Sequence, residues 1–132
     1  MTLDKEWEKF HGGPTIASRE RLHVTIGKKG VIYMNRNTHR LLGDPSAAYL
    51  YFNRVKNKIG IQPASPRMPE SFPLRRANDG FKINAAPFCR NFGISIDNTE
   101  RFIRPDIEAN GVLQLDLNYT AIATRPPRKK RK

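Results

Sequence analysis

From Arg21 onward, apolar and polar positions alternate. Leu22, Val24 and Ile26 are apolar, while His23, Thr25 and Gly27 are not. That period of two predicts a half-buried strand. Lys28-Lys29-Gly30 follows as a turn in which glycine supplies a positive φ, and Val31 to Met34 predicts a returning strand. Asn35 or Asn37 can cap a short helix through Leu42, and Gly43 suits its left-handed stop. Next, AAYLYFNRV is aromatic and β-branched enough for a strand. Lys56-Asn57-Lys58 turns it, and IGIQP returns. Residues 21–62 thus read as a β-turn-β-α-β-turn-β unit.

Residues 63–73, PASPRMPESFP, hold four prolines and two serines and predict a linker, because proline removes ladder donors and fixes φ. A second unit, 74–118, repeats the order. Leu74 to Ala77 is strand-like, Asn78-Asp79-Gly80 is a hairpin signal, and Phe81 to Asn84 returns. Ala85 to Phe92 predicts a helix with Pro87 in its first turn and Gly93 at its stop. Arg101 to Ile107 and Val112 to Leu117 then read as strands joined across Asn110-Gly111. Residues 119–132 begin with strand character and end as a basic tail. At the other end, residues 1–20 open with an amphipathic helix, Leu3, Trp7 and Phe10 on one face, that is too short to stand alone.

The two units also match residue by residue. GVIYMNRNTHRLLG runs from Gly30 to Gly43 and GFKINAAPFCRNFG from Gly80 to Gly93, so Arg40 aligns with Arg90 and Leu42 with Phe92 at an offset of fifty. Such self-similarity points to a duplicated supersecondary element. The order of elements, with a basic glycine turn and a helix ended by Leu-Gly, resembles the AbrB-like swapped-hairpin regulators, and two tandem copies look like the MraZ arrangement. The resemblance spans about residues 21–62 and 71–117. It implies a mainly β fold with short helices (α+β), in which two tandem units form a swapped-hairpin-like β-barrel. It also implies a transcription regulator whose turn and helix face DNA. Mapped onto this chain, the implied contact residues are Lys28, Lys29, Arg36 and Arg40 in the first unit. In the second they are Arg75, Arg76, Lys82 and Arg90.

Charge agrees with a polyanionic partner. The formal net charge is +12, and six of those charges lie in the last eight residues, RPPRKKRK. Arg128, Lys129, Lys130 and Arg131 there fit a phosphate-condensing arm or a nuclear import signal, or else a segment added to the natural chain. Asn35 and Asn37 have side chains suited to base edges. The expected partner is nucleic acid, DNA rather than RNA, together with a homo-oligomer or a protein docked through the N-terminal helix. The competing expectation is a structural or adaptor subunit of a ribonucleoprotein or phage-type assembly.

Other chemistry finds little purchase. His11, His23 and His39 lack metal-ligand spacing, and Asp106 and Glu108 share a strand face without an acid–base partner. No phosphate loop is present in the sequence. Cys89, the one cysteine, reads as a buried inert thiol beside Phe88. Tyr49 and Tyr51 share a face opposite Leu50 and Phe52, one face being core. These features predict no enzyme, no cofactor and no metal. No apolar run approaches the ~20 residues of a membrane helix, and the N-terminus lacks the order of a secretory signal. The expected location is the cytoplasm, at the nucleoid, or the nucleus if the tail is an import signal.

Overall fold

The computed structural model describes residues 21–123. The helix expected near the N-terminus and the tail cations Arg128, Lys129, Lys130 and Arg131 lie outside them. The first unit supplies β1 (Val24–Ile26), β2 (Val31–Asn35), α1 (Arg36–Leu41), β3 (Ala47–Asn53) and β4 (Lys58–Ala64). The second supplies β5 (Phe72–Pro73), β6 (Arg75–Ala77), β7 (Gly80–Asn84), α2 (Ala86–Phe92), β8 (Glu100–Phe102), β9 (Asp106–Ile107), β10 (Leu113–Asp116) and β11 (Thr120–Ile122).

The strands fall into two antiparallel sheets, ordered β11-β8-β1-β2-β7-β6 and β5-β3-β4-β10-β9. Among the described residues no ladder closes them into one barrel. Each sheet takes one hairpin from each unit, so the units are interleaved rather than set side by side. Among the described residues four ladders join them, β1–β8, β2–β7, β3–β5 and β4–β10, and two of these carry the seams of the core. In one, Ile32 faces Ile83 across β2 and β7. In the other, Ile59 and Ile61 face Leu115 and Leu113 across β4 and β10. All six side chains are 0% exposed and belong to one core, which Phe88, Cys89 and Phe102 complete.

Local chemistry explains the elements. Asn35 is the cap of α1, its Oδ1 accepting the Thr38 N–H at 2.9 Å. Gly43 and Gly93 both take positive φ just past their helices, and each N–H reaches the carbonyl of the matching arginine, Arg40 or Arg90. The repeat therefore holds at the helix stops. It slips in the strands. An offset of fifty sets Ile32 against Lys82, yet Ile83 is the buried partner and Lys82 is exposed. One residue of slip reverses every side chain in a strand. The glycines differ accordingly: Gly30 is a turn residue with φ of +80°, whereas Gly80 opens β7.

Two further expectations need correction. The run from Arg101 to Ile107 is not one strand. Pro105 has no N–H and restricts Arg104 before it, so the chain breaks there, leaving β8 in one sheet and β9 in the other. The segment 63–73 is not wholly linker, since β4 runs to Ala64 and Phe72–Pro73 pairs with the edge of β3. Leu50 and Phe52 pack against the core as the alternation requires, and Phe52 meets Phe92 at 5.2 Å.

Candidate functional site

Direct cross-strand partners point to the same face of a sheet. In the six-stranded sheet one row therefore carries Ala121, Arg101, Thr25, Tyr33, Lys82 and Arg75, read from edge to edge. The neighbouring row holds Ile26, Ile32 and Ile83, all fully buried. The first row accordingly faces away from the core. It places three cations around one tyrosine.

Two adjoining grooves of about 900 and 1000 Å³ cross this face and share His23, Tyr33 and Arg101. Arg21 and Arg36 line one groove and Lys82 the other, with Asp79 the carboxylate among their linings. The field is felt locally. Burial lowers the His23 pKa first, and the charges of Arg101 and Arg21 lower it further. Burial raises the Tyr33 hydroxyl, with Asp79 adding to the effect.

Backbone and small residues fix the centre of the face. His23 meets Tyr33 edge to face at 6.5 Å between ring centroids. A Cβ added at Gly80 would lie 2.7 Å from Tyr33 Oη and 2.9 Å from Cζ, so the tip of the ring rests on the β7 backbone. The wall formed by Arg21 to His23 is tied to α1. Asn35 Nδ2 donates to the Arg21 carbonyl at 2.7 Å, and the His23 N–H donates to Thr38 Oγ1 at 3.0 Å.

The structure divides the expected contact residues among several places. Arg75 and Lys82 are direct partners on the outer face, and Arg36 lines its groove. Lys28 and Lys29 come together with Arg90 around a separate cleft of about 330 Å³, where the β1–β2 turn meets α2. Arg76 sits with its guanidinium 6.0 Å from the Phe81 ring. Arg40 donates to the Asn37 side-chain oxygen. Asn37 is only 7% exposed, so its burial argues against a base-reading role.

Sequence reasoning missed Arg101, Arg21, His23 and Tyr33. Tyr33 was accessible to it, because it alternates with the buried Ile32 and Met34. Arg101 was not, because its place depends on pairing between β8 and β1, which are far apart in sequence. On the second sheet Tyr49 and Tyr51 contact each other edge to face at 6.4 Å, and Tyr51 donates to Gln62 at 2.8 Å. Cys89 is buried and its thiol pKa is raised by burial. Among the described residues no group of His, Cys, Asp and Glu is arranged to hold a metal ion. None of the described helices is long and apolar enough to cross a membrane.

No protein-family model, curated protein or solved structure matches the chain.

Proposed function

We propose that this chain is a nucleic-acid-binding protein that uses the outer face of its six-stranded sheet. The observation that carries the reading is the row in which Arg101, Lys82 and Arg75 flank Tyr33, its other members, Thr25 and Ala121, being small. Cations on a rigid sheet suit phosphate contacts, which set register and supply most of the affinity. Lys28, Lys29 and Arg90 form a second positive cluster that adds to it. The interleaving of hairpins from two units supports the finer proposal of an AbrB-like swapped-hairpin architecture, with the DNA contact on the sheet face rather than on the turn and helix. Titration of a labelled oligonucleotide over a salt series tests the reading. Log affinity falls linearly with log salt if phosphates are neutralised, and affinity that ignores salt rejects it.

One observation favours a second reading, docking to protein. Ile103, Tyr119 and Ile122 are 48%, 48% and 59% exposed near the β8–β11 edge of the same sheet. An adaptor of this kind retains a defined protein partner through nuclease treatment, whereas a nucleic-acid-binding protein releases absorbance at 260 nm and no protein.

A further inference from the structure

Resting on that reading of the outer face, we infer that its ligand is single-stranded nucleic acid, held by a base stacked on Tyr33 while the backbone runs between Arg101 and the Lys82–Arg75 pair. Reading a duplex from the major groove takes a helix or a two-stranded ribbon that stands off the protein. Neither of the two described helices does so. α1 and α2 span Arg36–Leu41 and Ala86–Phe92, and each turns residues into the core, Thr38 and His39 from one and Phe88 and Cys89 from the other. The basic β1–β2 turn is held down as well. The Gly30 carbonyl accepts the Ala85 N–H at 2.8 Å, and a Cβ on Gly30 would come within 2.8 Å of Ala86 Cα.

What the face offers instead is a shallow surface with an aromatic ring at its centre. Around Tyr33 stand Thr25 on one side and Gly80 beneath the ring tip, with Ala77 beyond Gly80 across β6. These small residues leave room for a planar group to lie on the ring. Neighbouring strands lie about 4.8 Å apart, so Lys82 is one strand from Tyr33, and Arg101 and Arg75 are each two strands away. Cations on both sides of an aromatic platform are the arrangement that grips an unpaired strand, since every base has a face to stack and every linkage a charge. A duplex hides its base faces and leaves only the phosphates to this surface.

The test is fluorescence anisotropy on the full chain, with a labelled oligothymidylate of roughly 15 nucleotides and a duplex of the same length. Tyr33→Phe keeps the ring. Tyr33→Leu keeps apolar cover over Gly80 but removes it, and a urea melt of each variant checks the fold. The expected result is tighter binding of the single strand than of the duplex at equal salt. Tyr33→Phe binds like the parent, and Tyr33→Leu loses about tenfold or more for the single strand alone. Should Tyr33→Leu unfold, His23→Ala at the groove junction replaces it, with a smaller loss expected on the single strand only. Equal binding of both forms, unmoved by these substitutions, overturns the inference and leaves the phosphate-binding reading intact. Binding of neither form by the parent overturns both.

Discussion

Replacing Thr38 with valine keeps the shape of a fully buried side chain and deletes one hydroxyl. That hydroxyl accepts the His23 N–H at 3.0 Å and donates to Asn35 Oδ1, and it links the start of β1 to the cap of α1. In Thr38→Val the His23 N–H loses its partner at a part-buried site, which costs up to about 1–3 kcal/mol. The Asn35 cap survives, because its oxygen still accepts the Thr38 N–H at 2.9 Å. Thr38→Ser is the matched control. It retains the hydroxyl and loses one buried methyl, about 0.8 kcal/mol. A small protein's urea dependence of about 1–3 kcal/mol/M turns a loss of about 2 kcal/mol into a midpoint shift of about 1 M. The expected order of urea midpoints, followed by circular dichroism, is parent, then Thr38→Ser, then Thr38→Val. Thr38→Val as stable as the parent, or more stable than Thr38→Ser, refutes the role given to this hydroxyl.

Two of the four described positive-φ glycines, Gly43 and Gly30, separate strain from collision. Gly43→Ala meets no atom within 4 Å and costs only the left-handed conformation, about 1–2 kcal/mol. Gly30→Ala adds a clash with Ala86 and lowers the unfolding midpoint further. Ile83→Ala at the β2–β7 seam opens a cavity worth about 2–5 kcal/mol, read by the same melt, whereas Lys82→Ala next to it leaves stability nearly unchanged. For His23 the folded pKa is below the ordinary value of 6.5, so the unfolded chain binds the proton more readily. Stability is therefore full above that value and declines as pH falls below it. His23→Gln flattens this part of a pH–stability profile.

Local signals carried much of this fold. Val24, Ile26, Ile32 and Met34 occupy every second position of their strands and are all buried, and Asn35, Gly43 and Gly93 bound the helices as their chemistry dictates. What failed was information held between distant residues. The Gly30–Gly80 match aligned a turn glycine with a strand glycine, and only the pairing of Ile32 with Ile83 shows which faces correspond. β8 has three residues and no clear alternation, so neither its exit from the expected long strand nor its pairing with β1 could be read locally. The candidate site suffered most from this. Arg75, Lys82 and Arg36 were legible as cations, but the row that unites Lys82 and Arg75 with Arg101 and Tyr33 exists only across four strand pairings.

The central claim is that this row touches nucleic-acid phosphates, and the most direct measurement is the salt slope of binding for Arg75→Gln/Lys82→Gln/Arg101→Gln beside the parent chain. Each phosphate contact contributes about 0.7 to the slope on a single strand and about 0.9 on a duplex. Loss of three contacts predicts weaker binding and a slope shallower by about 2 to 3, with the basic tail unchanged in both proteins. An unchanged affinity and an unchanged slope in the triple variant would contradict the account.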